Sequence, residues 1–226
     1  MLVSVIIPTF NRFPFLLQAI QSVLRQSSDK IKFTVEVFVI DDCSTDQRYL
    51  SLPALFASEP RVKIIRNDVN LRTKFQSNHA QGETRNVGLR LAKGDYIAFL
   101  DDDDFWLPSK LEKQLTAIKQ SAGCQMCSTN AVIGHGLAKT GTYNEIYFKQ
   151  PLKPFFDLEY ILSCNYIMNS SVIISQELFT KTGFQKAEVY EDYEYWKRCL
   201  EHTNCCYLPE PLIGYDMSHG YGKQYS

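Results

Sequence analysis

Hydrophobic positions in the first hundred residues alternate between two patterns. Val3–Ile7, Val35–Ile40, Val62–Ile65 and Tyr96–Leu100 are short, nearly continuous apolar runs rich in Val and Ile. They predict β-strands buried on both faces. Between them the period lengthens to that of a helix. From Pro14 to Gln26, Leu16, Leu17, Ile20, Val23 and Leu24 form one stripe, and Pro14 suits a first turn, where its missing N–H has no intrahelical partner. Gly82–Lys93 predicts a second helix, with Val87 and Leu91 on one face and Gly94 as C-cap. Pro108 opens a third, with Leu111, Leu115 and Ile118 at core spacing. The second half is less regular. Strands are expected over residues 123–134 and 169–174, and helices over Ser175–Thr182, closed by Gly183, and Asp192–Glu201. Pro209–Ser226, with Gly214, Gly220 and Gly222, reads mostly as loop.

Alternating strands and helices predict an α/β fold with a Rossmann-like, mostly parallel central sheet flanked by helices and a smaller mixed or antiparallel portion after it. No repeat or linker interrupts residues 1–226, so one domain is expected, with halves at 1–104 and 105–226. In such sheets ligands bind beyond the carboxyl ends of the strands. Those ends carry Pro8, Thr9, Asn11 and Arg12, then Asp41 and Asp42, then Asp101, Asp102, Asp103 and Asp104.

The aspartate tetrad carries the most information. Four adjacent carboxylates repel one another, and the apolar run before them delivers all four to one place. A solvated turn before a helix N-terminus explains one or two aspartates but not four. A hard divalent cation, Mg²⁺ or Mn²⁺, takes such oxygen ligands and shares them with phosphates. In an extended strand Asp101 and Asp103 would face one side and Asp102 and Asp104 the other. Asp41-Asp42 would accept from a nucleobase N–H or a ribose hydroxyl, or simply build a turn. Glu191-Asp192 fits a helix cap and equally a general base at a helix mouth. His219 stands in a glycine-rich tail, as a loop residue or as a metal or phosphate ligand. Arg85 is a phosphate partner or a surface helix residue.

Composition narrows the class. Hydrophobic content of 45% and charged content of 22% are those of a globular protein. A net charge of −1 gives no electrostatic basis for nucleic-acid binding. No apolar run reaches the ~20 residues of a membrane span, and the first residues read directly into a strand, so a cytoplasmic location is expected. Seven scattered cysteines fit reduced thiols better than a disulfide framework. Cys124-x-x-Cys127 with Cys205-Cys206 lacks the spacing of a zinc site.

Together these segments resemble the family 2 glycosyltransferases of the GT-A fold. The resemblance rests on Val3–Arg12, Val39–Asp46, Gly82–Gly88, Ala92–Asp104, Phe179–Phe184, Tyr190–Trp196 and Tyr215–Gly220, in that order along almost the whole chain. It implies a nucleotide-sugar-binding half at 1–104 and an acceptor-binding half at 105–226. Asp42, with Thr9 nearby, would meet the nucleotide base, most often uridine. Asp103 and Asp101 would hold Mn²⁺ or Mg²⁺, and Asp102 would lie against the ribose or the metal's water shell. Asp192 would be the general base and His219 a further metal or diphosphate ligand. The Gln-x-x-Arg-Trp signature of processive synthases is missing, which implies single additions.

The chemistry this implies is inverting transfer from a UDP-sugar to a hydroxyl of a glycan or glycoconjugate. A cation would stabilise the departing diphosphate and one carboxylate would take the acceptor proton. A lipid-linked acceptor would place the chain at a membrane surface. Aromatic residues of the irregular stretch Thr140–Tyr166 (Tyr143, Tyr147, Phe148, Phe155 and Phe156) are core or sugar-stacking. Two rivals stand: a sugar-phosphate nucleotidyltransferase, against which Pro8–Arg12 lacks a glycine-rich loop, and a catalytically inactive nucleotide-sugar-binding module.

Overall fold

The computed structural model describes residues 1–76, 80–186 and 190–218. In chain order the elements are β1 (Leu2–Thr9), α1 (Phe13–Leu24), β2 (Thr34–Asp41), a 3-10 turn (Gln47–Ser51) leading into α2 (Leu52–Leu55), β3 (Val62–Arg66), α3 (Leu71–Phe75), α4 (Gln81–Leu89) and β4 (Tyr96–Phe99). Then come β5 (Phe105–Trp106), α5 (Lys110–Gln120), β6 (Met126–His135), β7 (Thr142–Ile146), β8 (Phe155–Phe156), α6 (Leu158–Ser163) and a 3-10 turn (Asn169–Ser171). The chain continues through β9 (Ile173–Ser175), α7 (Gln176–Thr182), α8 (Glu191–Leu200) and β10 (Cys205–Asp216).

The ten strands among the described residues join one sheet, whose main path is β3-β2-β1-β4-β9-β6-β10-β5. The first four run parallel, as the alternation predicts. β9 then inserts antiparallel to both β4 and β6, so β6 and β10 again run with β4. The carboxyl ends of β1, β2, β4, β6 and β10 therefore share one edge. Successive residues of β1 face opposite sides of the sheet. Val3, Val5 and Ile7 join Leu16, Ile20 and Val23 of α1 and Leu111 and Leu115 of α5 on one side. Ile6 faces the other way, with Ile40, Phe99, Leu89 of α4 and Tyr195 and Trp196 of α8. Phe99 meets Trp196 edge-on at 5.5 Å, which seats α8 on the strand that delivers the aspartates.

Several expectations change. Pro209–Asp216 is strand, not loop: β10 pairs with β6 through register shifts around Pro211, so the prolines mark a bulge, where a missing N–H is tolerated. The helix expected over 82–93 ends at Leu89, and Leu91 is 42% exposed. Its buried face is Gly82, Thr84, Arg85, Asn86, Gly88 and Leu89, mostly small or polar. Gly94 is no C-cap. Its N–H donates to Ser4 Oγ at 2.8 Å, and a Cβ there would lie 2.7 Å from Ser4 N and 2.8 Å from Leu2 O. The strand expected over 169–174 is a 3-10 turn followed by β9. Gly183 does close α7, at φ +69°.

One charge lies in the core itself. Lys110 is fully buried, its Nζ 2.7 Å from Gln114 Oε1 and 4.1 Å from the centre of the Trp106 ring. Burial pushes its pKa down to about 7. A neutral amine gains little from an indole face, so the bond to Gln114 is its main tie.

Two stability predictions follow from this packing. Gly94→Ala forces its Cβ into β1 backbone and costs about 1–3 kcal/mol in chemical denaturation; an unchanged midpoint would refute the close approach. For Lys110, the unfolded chain holds a proton between pH 7 and the ordinary lysine pKa that the folded chain has shed, so stability should rise with pH across that window. Lys110→Met removes this dependence. Melting curves of both proteins from pH 7 to 10 should converge as pH rises, and parallel curves would contradict the buried neutral amine.

Candidate active site

Four loops meet beyond the shared edge. The loop after β1 is fixed by Asn11, which adopts φ +56°. Its N–H donates to Ser44 Oγ at 3.0 Å, and its Oδ1 accepts from the backbone N–H groups of Thr45 and Asp46 at 2.8 and 3.1 Å. Asn11 thus ties the first loop to the second. Pro8 sits within β1, paired with Ile40. Thr9 shares a 2.7 Å hydrogen bond with the Tyr49 hydroxyl, which also accepts from Arg12 N at 2.8 Å. Sequence reasoning passed over Tyr49, an aromatic in a polar stretch with no periodic signal.

Asp41 and Asp42 separate in role. Asp41 is buried, pairs with Arg66 and accepts from Ser44 N at 2.9 Å, so it builds the turn. Asp42 accepts from Asn67 Nδ2 at 2.8 Å and from Leu71 N at the start of α3 at 3.0 Å. Burial raises its pKa, against the opposing effect of those two bonds.

The tetrad does not alternate between two sides. It turns, Asp104 N donating to Asp101 O at 3.2 Å, and its carboxylates go three ways. Asp101 Oδ1 accepts from Arg85 Nη2 at 2.7 Å and from Asn169 Nδ2 at 2.9 Å. Asp102 and Asp103 share Arg12 Nη1, at 2.9 and 2.5 Å, and Asp102 Oδ2 also accepts from Phe10 N at 3.3 Å. Asp104 turns inward to the Ser170 hydroxyl and Asp216 N. Burial raises the pKa values of Asp102, Asp103 and Asp104; Asp103, with Asp102 and Asp101 beside it, reaches about 8 despite Arg12.

The fourth loop leads into α8. Glu191 and Asp192 are its first two residues, after Tyr190 at φ +59°. Glu191 Oε1 accepts from Arg85 Nη1 at 2.9 Å. Asp192 Oδ1 accepts from Tyr193 N at 2.7 Å, and burial followed by the charge of Glu191 pushes its pKa up to about 6, against the pull of Arg85. Arg85 is not a surface residue. It is buried between Asp101 and Glu191, and these acids more than offset the effect of burial, so its pKa is raised. A guanidinium so engaged is not presented to a phosphate.

The structure thus brings Arg12, Arg85, Asp101, Asp102, Asp103, Glu191 and Asp192 together, and leaves Asp41 as loop scaffold. His219 lies outside the described residues. Asn169, Ser170 and Asp216 were not singled out, being ordinary polar residues 66 to 112 positions from their partners in the tetrad. Tyr215 stands close enough to feel Asp104 and Asp101, and meets Tyr147 edge-on at 5.8 Å. All seven cysteines are free thiols. Among the described residues no three His, Cys, Asp or Glu side chains are already arranged around a metal position.

Comparison with known proteins agrees with this geometry. Two uncharacterized glycosyltransferases of Haemophilus influenzae are 32% and 31% identical, over 90% and 89% of this chain and 63% and 73% of their own lengths. The amylovoran biosynthesis glycosyltransferase AmsB of Erwinia amylovora is 26% identical over 98% of this chain and 72% of its own. The chain spans under two thirds of the first of these relatives. Among solved structures, S. aureus TarS 1-349 in complex with UDP-GlcNAc superposes with a TM-score of 0.74 at 21% identity, over 100% of this chain and 62% of that one. The mannosyltransferase PcManGT from Pyrobaculum calidifontis in complex with GDP-Man and Mn²⁺ gives 0.67 at 15%, over 97% and 58%. These likenesses establish the GT-A architecture. The family model described as glycosyl transferase family 2 matches residues 4–176, and the chain belongs to that family.

Proposed function

We propose that this chain transfers a single sugar from a nucleotide-sugar, a UDP-sugar first, to a hydroxyl of a glycan or glycoconjugate with inversion at the anomeric carbon. The observation that carries this is the meeting of two acidic groups from distant segments. The end of β4 supplies Asp101–Asp103, and the start of α8 supplies Glu191–Asp192, held together by Arg85. Family membership and structural neighbours crystallised with UDP-GlcNAc and with GDP-Man support a nucleotide-sugar donor. Residues 1–104 act as the donor half, with Asp42 and Thr9 toward the base and Asn11 shaping the loop. Residues 105–226 act as the acceptor half of one domain.

The donor set fits a divalent cation, Mn²⁺ or Mg²⁺. Both contacts to Asp101 fall on Oδ1 and that of Arg12 to Asp103 on Oδ2, so each carboxylate has a second oxygen to offer. These are hard oxygen donors in a place with more negative than positive charge. Asp101 and Asp103 would hold the ion, with His219 as a further ligand. When bound, the ion neutralises charge developing on the diphosphate. Arg12 keeps Asp102 and Asp103 in place, and Asn169 and Arg85 orient Asp101. Asp192 takes the proton from the acceptor hydroxyl as that oxygen attacks the anomeric carbon. Tyr147 and Tyr215 wall the acceptor side. No helix among the described residues is long and apolar enough to cross a membrane, so a lipid-linked acceptor would be met at the membrane surface.

A thermal-shift panel of UDP- and GDP-sugars with and without Mn²⁺ tests the donor class. UDP-sugars with Mn²⁺ should raise the melting temperature in proportion to the logarithm of ligand concentration. Pyrophosphate release from a nucleoside triphosphate and a sugar phosphate would instead identify a nucleotidyltransferase. Asp192→Asn should keep the UDP shift and lower turnover about 10²–10⁴-fold. Wild-type turnover in that variant would remove Asp192 from the role. Because a base acts only when ionised, and Asp192 loses its proton near pH 6, kcat/KM should fall below about pH 6. A profile flat down to pH 5 would contradict this assignment.

A further inference from the structure

We propose that Arg85 is a positioning residue, and that the polar face of α4 is a bracket which fixes the acidic pair of α8 against Asp101. This rests on the transferase reading of the site. The starting observation is that α4 buries the wrong face for an ordinary core helix. Arg85 and Asn86 are 4% and 2% exposed, while Leu91, just past the helix end, stands 42% exposed. Polar groups enter a core only where partners receive them.

Those partners lie on the segment from Gln185 to Glu191 and at Asp101 beyond β4. Asn86 Nδ2 donates to Gln185 O at 2.8 Å, and Gln185 N returns a bond to Asn86 Oδ1 at 3.0 Å. Gly82 completes the contact, since a Cβ there would stand 3.1 Å from Glu191 Cγ and 3.2 Å from Lys186 O. Arg85 closes the bracket with its fork. Nη1 donates to Glu191 Oε1 at 2.9 Å and faces Gln185 Oε1 at 3.4 Å, while Nη2 donates to Asp101 Oδ1 at 2.7 Å. Among the described residues its Nε is buried with no hydrogen-bond partner. An unbonded buried N–H carries a cost, so the ring of acceptors around the terminal nitrogens sets the orientation of the guanidinium. One rigid planar group thereby fixes the distance between the donor-side carboxylate and the acceptor-side pair.

Two features separate this from a merely structural ion pair. Asp101 has independent support from Asn169 and Ser170, so the donor side does not depend on Arg85 alone. Glu191 and Asp192 sit at a helix start whose approach is held by the Gln185–Asn86 pair and Arg85. Loosening the bracket should therefore displace the base more than the nucleotide.

The test compares Arg85→Lys, Glu191→Gln and Asn86→Ala with wild type, using the donor and acceptor that the wild type turns over and the melting shift given by UDP with Mn²⁺. Lysine keeps the positive charge but is a point donor that cannot span two carboxylates. Expected is a fall in kcat of about 10- to 100-fold in Arg85→Lys, from misplacement of the base, with donor KM and the UDP–Mn²⁺ shift within about twofold of wild type. Glu191→Gln keeps the side chain's shape, so it carries the test if Arg85→Lys does not fold; it and Asn86→Ala should show the same split. Wild-type kcat in Arg85→Lys and Glu191→Gln would overturn the proposal. So would loss of donor KM and of the UDP–Mn²⁺ shift with kcat kept, which would return Arg85 to the diphosphate. A wild type that turns over no nucleotide-sugar removes the transferase reading, and this proposal with it.

Discussion

Crowded negative charge at one sheet edge is the constraint on which the rest of this structure depends. Asp101, Asp102, Asp103, Asp104, Glu191 and Asp192 converge there, and the guanidinium groups of Arg12 and Arg85 are the cations that face them. Burial strengthens every repulsion among them. The site meets this in three ways. Asp104 is turned inward to neutral donors, where burial favours its protonated form. Arg12 is shared by two carboxylates, and Arg85 by two more. Acids still outnumber the two arginines there.

The apolar architecture exists at this edge to force that convergence. Phe99, the last residue of β4, packs on Trp196, so the residues after it arrive beside the start of α8. Trp106 donates its indole N–H to Ser170 O at 3.0 Å, and Ser170 donates its hydroxyl to Asp104, so the 3-10 turn before β9 is the floor of the tetrad. The antiparallel strand that departs from a simple parallel sheet is therefore what carries Asn169 and Ser170 under the aspartates.

Much of this was legible from local pattern. Continuous Val and Ile runs gave the parallel strands, and the four aspartates after one of them, a charge that core formation does not ask for, lie where the structure gathers Arg12, Arg85 and Glu191. What escaped had long-range causes. The helix over Gln81–Leu89 was misread because Leu91, expected on its apolar face, lies past its end and is exposed, while Arg85 and Asn86 are buried; their burial is matched by Gln185 and Glu191, about 100 positions away. Gly94 looked like a helix stop because the strand it presses against lies 90 residues earlier. Pro209 and Pro211 read as loop because local rules cannot distinguish a bulge within a strand from its end. The partners of Asp101 and Asp104 are Asn and Ser, residue types too common to signal anything alone.

The same reasoning divides the tetrad. Four adjacent aspartates look equivalent, but the turn at Asp101–Asp104 gives each a different environment. Asp104 is committed inward. Asp102 has both oxygens engaged, one by Arg12 and one by Phe10 N. Among the described residues the side-chain bonds to Asp101 fall on Oδ1 and that of Arg12 to Asp103 on Oδ2, from different arginines. The turn, not the strand pleat, sets where each carboxylate goes. A strand pleat would have placed Asp101 and Asp103 on one side by alternation; the structure instead sets Asp103 with Asp102 on Arg12 and Asp101 with Glu191 on Arg85.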